Sequence, residues 1–326
     1  MKVSESLMAP PGLALLERAI GRGGIVAYHG VREGSLLRST HITPTAIQVQ
    51  FEFLAESYRV LPLAEFVARR KAGRSLRGCV AITFDDAYLG ILTHVLPSLK
   101  RLGLAATVFV ASSFCVREKR FWWDRFEWAR QRLEPVRSAR LLREAGLDVR
   151  AADHEVRDRL LTRYRGALPR ALDQALQRAE SEVGLVPERA MTTEELLELA
   201  RCDLVDFGCH TVHHYALPWL TPPKAEKEIR LNHEWLRARL PRVRPYLAYP
   251  YGLYTPTTVE AARRSGMEAA FSISGLAATS RFPLYDCPRI GMADVFPLKS
   301  LRLRLAWFTI PILALRDRGW IEDRTP

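Results

Sequence analysis

The sequence contains few cysteines, and those present form no recognisable framework. Five cysteines are scattered over 326 residues, and no two have the C-x-x-C spacing of zinc-binding or redox motifs. Two of them, Cys79 and Cys209, lie in apolar runs typical of buried strands. An odd, scattered set of buried thiols is typical of a reducing compartment, so we expect no disulfide bonds and a cytoplasmic protein.

Long apolar runs are also missing. Residues 1–7 lack the apolar region of a secretory signal, and no run reaches the roughly 18 residues of a membrane-spanning helix. The apolar run that comes nearest to this length, residues 305–315, contains Pro311 and is flanked by arginines. For this segment we favour a helix packed on the core. The alternative is peripheral contact of residues 301–318 with the inner face of an anionic membrane.

Acidic residues are too few to balance the basic ones, which leaves a formal net charge of +12 at pH 7. A basic surface favours anionic partners such as phosphate-bearing lipids or acidic glycans, and its simplest interpretation is a solvated basic surface. The sequence has no nucleic-acid-binding motif and no basic tract interleaved with aromatic residues. We therefore expect no nucleic-acid partner.

What the sequence does contain is an alternation of apolar, strand-like runs with helical patterns, which predicts an α/β fold with a parallel sheet. The alternation stops between about residues 117 and 189, where arginine, glutamate, leucine and alanine dominate and predict an inserted helical segment. About seven strand–helix units remain, so we expect a distorted (β/α)7-type barrel with its active site at the carboxyl ends of the strands. The predicted domain covers residues 24–300, between an N-terminal extension (1–23) and a basic, apolar C-terminal tail (301–326).

Two polar clusters follow predicted buried strands. Asp85 and Asp86 come directly after the apolar run 78–84, and the cluster from His210 to His214 follows another such run. One carboxylate and two imidazoles suffice to hold a divalent ion and leave a position open for water. The second carboxylate is then available as a base. An aspartate pair alone also fits a strand-end turn or a helix cap, and the histidine cluster is what favours a metal site.

Taken in order, these motifs resemble the polysaccharide deacetylase family (NodB-homology proteins, carbohydrate esterase family 4). The resemblance is carried by Val-Ala-Tyr-His-Gly-Val at 26–31, Thr-Phe-Asp-Asp at 83–86, His-Thr-Val-His-His at 210–214, Ala-Tyr-Pro-Tyr-Gly at 248–252 and Pro-Arg-Ile at 288–290. It covers most of the chain outside the predicted insertion. It implies a metal-dependent hydrolase that removes N-acetyl groups from a carbohydrate or a lipid-linked glycan.

The resemblance also implies roles for individual residues. Asp86, His210 and His214 are the expected ligands of a divalent ion, zinc by preference, with cobalt, nickel or manganese as alternatives. Asp85 is the expected general base, which takes a proton from a metal-bound water as that water attacks the amide. The backbone N–H of Tyr251 is expected to stabilise the oxyanion.

Neighbouring residues are assigned lesser roles. Tyr249, Pro250 and Trp123 are expected to contact substrate, with packing of the insertion as the alternative for Trp123. His213 interrupts the i, i+4 pair of histidines and is expected to face solvent or to lie behind the ligands. Cys209 is expected on the opposite face of its strand from the ligands.

The sequence departs from the family pattern at two places. Ala248 stands where many relatives carry an arginine that pairs with the base, and Arg289, from a later strand, is expected to orient Asp85 instead. Many relatives also supply a late general-acid histidine, and no histidine follows His233 in this chain. His29 is the expected substitute. The alternatives are the metal-bound water or Asp85 after it has taken a proton.

Two other functions stay open at this point. One is a deformylase or another C–N amide hydrolase of the same fold, since pocket shape decides between such substrates. The other is a catalytically weak factor in glycan assembly or binding, which the two departures suggest. For the N-deacetylase, the lack of a secretory signal predicts a substrate made or displayed on the cytoplasmic side, near the inner face of the membrane.

Overall fold

A computed structural model describes residues 23–37, 40–116, 119–144, 168–273 and 282–292, together with Leu301 and Leu305. Nearly all of the predicted N-terminal extension (1–23) lies outside these ranges. So do the apolar run 305–315, except for Leu305, and most of the proposed membrane contact 301–318. In the described ranges no helix is both long enough and apolar enough to cross a membrane.

A single parallel sheet forms the centre of the fold. Its strands are β1 Gly24–Tyr28, β2 Arg59–Val60, β3 Cys79–Phe84, β4 Ala106–Val110, β5 Val205–Cys209, β6 Val243–Ala248, β7 Ala269–Phe271 and β8 Ile290–Gly291. Along the sheet they lie in the order β7, β6, β5, β4, β3, β1, β8, and β2 pairs separately with β3. Every residue of β1, β3, β4 and β5 is buried, as expected of parallel strands covered on both faces.

Ten α-helices are defined within the described ranges. They are α1 Pro44–Ser57, α2 Leu63–Lys71, α3 Leu96–Leu102, α4 Ser112–Cys115, α5 Trp122–Arg132, α6 Pro135–Glu144, α7 Arg170–Val183, α8 Thr193–Leu199, α9 Pro222–Arg237 and α10 Pro256–Arg264. Local sequence explains several helix starts. The Thr43 side chain caps α1 ahead of Pro44, and Thr192 and Glu195 form a reciprocal capping box at α8.

The prediction of a barrel with inserted helices is confirmed, with local differences. Helices α5, α6 and α7 lie between β4 and β5, where the insertion was predicted, and their apolar faces join the same core as the sheet. Within the strand–helix alternation, the segment before α3 forms a π-helical turn, Ile91–Val95. Strand β6 ends at Ala248, before Tyr249.

The segment 282–292 joins the two edges of the sheet. Cys287 bridges to Phe271 of β7, and β8 pairs with Val26 and Ala27 of β1. Backbone hydrogen bonds on both sides hold the segment, at Ser272 with Cys287 and at Met292 with Ala27. This arrangement closes the ring of strands and leaves all their carboxyl ends on one side.

Candidate metal centre and active site

Three turns at the carboxyl ends of the strands adopt left-handed backbone conformations. Positive φ angles occur at Asp86 (68°) and Ala87 (55°) after β3, at Thr211 (64°) and His214 (57°) after β5, and at Tyr251 (61°) after β6. Among the described non-glycine residues, Arg242 is the one other case. Such conformations cost roughly 1–3 kcal/mol each and persist where surrounding structure holds them, typically at functional sites.

These turns bring one carboxylate and two imidazoles together. Asp86 Oδ1 lies 3.2 Å from His214 Nε2 and 3.5 Å from His210 Nε2. The ligand atoms of the three residues lie within 4.8 Å of one another, and all three side chains are buried. In the described part of the chain this is the one cluster of three such residues that fits a metal ion.

Surrounding contacts prepare the two histidines to bind a metal. His210 Nδ1 lies 2.8 Å from the carbonyl oxygen of Ala248, so a proton on Nδ1 leaves the Nε2 lone pair directed toward Asp86. Burial lowers the pKa of both His210 and His214, which favours neutral imidazoles. Neutral imidazole nitrogens with one carboxylate oxygen suit zinc and neighbouring divalent ions. The residues present therefore fit the group that the sequence predicts.

A buried asparagine that the sequence analysis missed holds the histidine turn. The Thr211 hydroxyl accepts a hydrogen bond from the backbone N–H of His214 at 3.0 Å. Asn232, on α9, directs its Nδ2 to the carbonyl oxygen of Thr211 at 2.7 Å and to that of Val110 at 3.0 Å. Its signal in the sequence is a polar side chain on the apolar stripe of a helix, between Ile229 and Leu236.

The second carboxylate, Asp85, forms a buried bidentate pair with Arg289. The two guanidinium Nη atoms each lie 2.7 Å from a carboxylate oxygen. Further hydrogen bonds, to the Ser272 carbonyl oxygen and the Thr83 hydroxyl, fix the guanidinium group. Burial alone raises the pKa of Asp85, but the charges of Arg289 and His210 outweigh it and hold that pKa well below its usual range.

His29 is the other ionisable group beside the base. Its Nε2 lies 3.8 Å from Asp85 Oδ2, and its side chain is 22% exposed. The Asp85 carboxylate therefore lies between a buried guanidinium and a partly exposed imidazole. This places His29 on the open side of the site.

Two aromatic side chains cover the metal ligands. The ring centres of Trp123 and Tyr251 lie 4.8 Å and 4.5 Å from that of His214. Trp123 is also anchored from behind, because its Nε1 donates to the hydroxyl of Tyr88 at 3.1 Å and that hydroxyl donates to Asp124 at 2.5 Å. The aromatic run at the start of the insertion thus packs the core and also forms a wall of the site.

Other residues named from the sequence lie farther from the chemistry. Tyr249 is fully buried and its hydroxyl donates to the carbonyl oxygen of Tyr285, so it packs in the core, contrary to the expected substrate contact. Pro250 is buried as well, because β6 ends at Ala248 and the chain turns inward there. His213 is exposed and hydrogen-bonds Glu228 at 2.7 Å, outside the ligand triad.

Known proteins resemble this chain in sequence and in fold. A family profile described as polysaccharide deacetylase matches residues 72–270. A curated relative, the poly-β-1,6-N-acetyl-D-glucosamine N-deacetylase of Staphylococcus epidermidis, is 29% identical over 108 residues. That alignment covers 31% of this chain and 37% of the relative, so it spans little more than a third of the curated protein.

Solved structures share the fold. The Streptococcus pyogenes deacetylase PplD, solved with acetate, superimposes with a TM-score of 0.60 at 16% identity, covering 88% of this chain and 99% of that one. A de-N-acetylase from Aggregatibacter actinomycetemcomitans gives 0.55 at 15% identity, covering 87% and 99%. IcaB from Ammonifex degensii gives 0.53 at 20% identity, covering 87% and 96%. At these identities the likeness extends to the fold alone.

Proposed function

This chain belongs to the polysaccharide deacetylase family, and from that membership we propose that it is a metal-dependent N-deacetylase of a carbohydrate or lipid-linked glycan. The observation that carries the proposal is the convergence of two separate sets of groups. One set, Asp86, His210 and His214, is suited to a divalent ion. The other, the Asp85–Arg289 pair, presents a base beside it.

In the proposed reaction Asp86, His210 and His214 hold the ion, zinc in the first instance. When bound, such an ion lowers the pKa of water to about 7 and polarises the amide carbonyl group. Asp85 takes the proton from the attacking water. Its low pKa keeps it ionised, and Arg289 fixes the orientation of both carboxylate oxygens while leaving lone pairs to accept the proton.

The remaining groups stabilise the carbonyl oxygen as it becomes an oxyanion and protonate the leaving amine. We assign the backbone N–H of Tyr251, in the left-handed turn after β6, to the oxyanion. The amine needs a proton to leave. Asp85, once protonated, supplies it, and His29 on the open side of that carboxylate is the second candidate donor. The indole of Trp123, packed against His214, forms the apolar wall for the acetyl methyl group.

The test is acetate release from N-acetylglucosamine oligomers by protein reconstituted with zinc, cobalt, nickel or manganese. Removing a general acid–base typically costs 10²–10⁴-fold, so Asp85→Asn should lose activity by about that factor while retaining metal. Asp86→Asn should lose both activity and metal. Asp203→Asn, at an exposed position, is the matched control. Full activity in Asp85→Asn would overturn the assignment of the base.

The same assay separates the competing functions. Formate released from N-formyl substrates, with no acetate from N-acetyl ones, would identify a deformylase. Tight metal binding with no product from any substrate would favour the catalytically weak binding factor. The pairing of Arg289 with Asp85 argues for an active enzyme, because it supplies the guanidinium that Ala248 lacks.

The cellular location is part of the proposal. All five cysteines are buried and unpaired, which is typical of a reducing compartment, and the net charge of +12 favours an anionic surface. The buried cysteines and the positive charge both fit a cytoplasmic protein that works near the inner face of the membrane. In this proposal residues 301–318 make the peripheral contact. Cell fractionation at low and high salt tests it, and recovery from an oxidising compartment would contradict it.

A further inference from the structure

A cavity of about 490 Å³ lies between the inserted helices and the loop after β5. Its lining includes Trp122 and His213, whose immediate chain neighbours Trp123 and His214 belong to the metal centre. The rings of Trp122 and Trp123 also contact each other, with centres 5.6 Å apart, so the cavity lining packs against the metal centre. Its volume falls in the range of ligand sites, roughly 300–1,000 Å³.

The carboxylates in this cavity are already occupied. Arg125 donates from Nε and Nη2 to Glu180 at 2.7 Å and 2.8 Å, and from Nη1 to Asp173 at 2.7 Å. Asp173 also accepts a hydrogen bond from Gln177 at 3.2 Å. Arg125 alone leaves these two carboxylates with one net negative charge, and Lys119 and Arg120 turn the net charge of the lining positive.

The other polar groups of the cavity are mostly donors. Within the described ranges, no carboxylate forms an ion pair with Lys119 or Arg120, although Arg120 Nε donates to the Val186 carbonyl oxygen. Trp122 is 5% exposed, and its Nε1 has no hydrogen-bond partner among the described residues. That nitrogen has almost no accessible surface, so Trp122 contributes to the cavity as an aromatic wall and not as a donor.

An aromatic surface accompanies these donors. The imidazole of His213 stacks on the ring of Tyr215, with ring centres 5.1 Å apart and planes 17° apart. Both residues line the cavity, as does Trp122. Flat aromatic faces beside cationic donors suit a sugar unit that carries a negative charge.

We propose that this cavity binds an anionic group, a phosphate or a carboxylate, that the glycan substrate carries next to the sugar being deacetylated. The inference rests on the proposed function, and it narrows the substrate class from glycans in general to anionic ones. Lys119 and Arg120 supply the charge, and Trp122 supplies part of the aromatic wall. The packing of the cavity lining against the metal centre sets the anionic group beside the reacting unit.

The kinetic test compares substrates that differ in charge. These are the neutral methyl glycoside of N-acetylglucosamine, N-acetylglucosamine 1-phosphate, and a disaccharide of glucuronate with N-acetylglucosamine. The parent should show the lower KM for the charged substrates. Lys119→Ala should raise the KM of a charged substrate about tenfold, the value of one charge-assisted hydrogen bond, and should raise the KM of the neutral substrate much less. Lys100→Ala, an exposed lysine on α3, is the matched control.

A binding test separates failure of this inference from failure of the proposed function. Tryptophan fluorescence of the full-length, metal-free protein is titrated with inorganic pyrophosphate and, separately, with glucuronate. Saturation that weakens in Lys119→Ala supports the cavity even if no substrate releases acetate, and the tighter probe identifies phosphate or carboxylate. Equal KM values for charged and neutral substrates, with no Lys119-dependent binding of either probe, would overturn the proposal.

Discussion

At the scale of single residues, Asp85 and Arg289 depend on each other. Both side chains are buried, and each satisfies the charge of the other. Taking either charge out of water is expensive, and the pair offsets that cost only while both partners are present. The pair was predictable, because the sequence has Ala248 where relatives carry arginine and offers Arg289 on a later strand.

Arg289→Met should destabilise the fold by about 3–5 kcal/mol, because it leaves the Asp85 carboxylate buried and unpaired. Urea unfolding of the metal-free protein measures the change. The double variant Asp85→Asn/Arg289→Met should recover much of the loss. Arg264→Met breaks an exposed ion pair with Glu260 and should cost no more than about 0.5 kcal/mol. A single variant as stable as the parent would show that the pair contributes little.

Acid should destabilise the metal-free protein through its two ligand histidines. Their pKa values are lowered in the folded state, whereas an unfolded histidine has a pKa of about 6.5. The unfolded chain therefore binds more protons, and the stability present above about pH 6.5 is lost as the pH falls. Asp85, whose pKa is also lowered, adds a similar loss below its unfolded value of about 3.9.

The free energy of unfolding should fall by about 1–2 kcal/mol between pH 7.5 and pH 5.5. Thermal denaturation in the presence of a chelator measures it. A His210→Gln/His214→Gln variant should show a flatter profile over this interval. His213→Gln, which changes the exposed imidazole of the same loop, should follow the parent. A parent profile that rises toward pH 5.5 would contradict the assigned direction.

At the scale of secondary-structure elements, helix α9 holds the histidine turn of the metal centre through one polar side chain, Asn232. Asn232 reaches the end of β4 and the histidine turn at once, with a further bond to the Ser112 hydroxyl at 3.0 Å. It thereby fixes the distance between two strand ends. The left-handed turn at Thr211 persists because this helix holds its carbonyl oxygen.

Asn232→Leu should cost about 2–3 kcal/mol, because the buried carbonyl groups it serves lose their partner. It should also weaken zinc binding about 10–100-fold, the usual effect of removing a group that orients the ligands. Unfolding and zinc titration measure the two effects. Leu231→Ala, at an exposed position of the same helix, is the control. If Asn232→Leu is less stable but binds zinc as tightly as the parent, Asn232 contributes to folding and not to metal binding.

Most elements could be predicted from the sequence, because buried parallel strands read as continuous apolar runs and threonine side chains cap the starts of α1, α8 and α10. The three turns of the site were harder. Their geometry depends on left-handed backbone conformations at residues such as Asp86 and Tyr251. The residue types at these positions do not predict that conformation. The burial of Tyr249, a predicted substrate contact, depends on where β6 ends. Asn232 acts through contacts with residues that are distant from it in the sequence, such as Val110.

At the scale of the whole molecule, the metal centre joins parts of the chain that are distant in sequence. Asp86 follows β3, whereas His210 and His214 follow β5 more than a hundred residues later. An ion that binds all three stabilises the folded chain only, since the unfolded chain does not hold the three together. Metal binding and folding should therefore be coupled.

Zinc at a hundredfold excess over its Kd should add about 2.7 kcal/mol to the free energy of unfolding. Differential scanning calorimetry of the chelator-treated protein, with and without zinc, measures this as a rise in Tm. Asp86→Asn/His214→Gln should abolish the rise. Asp203→Asn should retain it. An equal rise in the double variant would place the stabilising ion elsewhere.

The segment 282–292 both closes the ring of strands and delivers Arg289 to Asp85. During synthesis the proposed base, Asp85, leaves the ribosome about two hundred residues before its counter-ion, Arg289. Until then its carboxylate has no cation of its own to pair with in the core. A partly synthesised chain therefore carries the ligand motifs without the guanidinium group that orients Asp85.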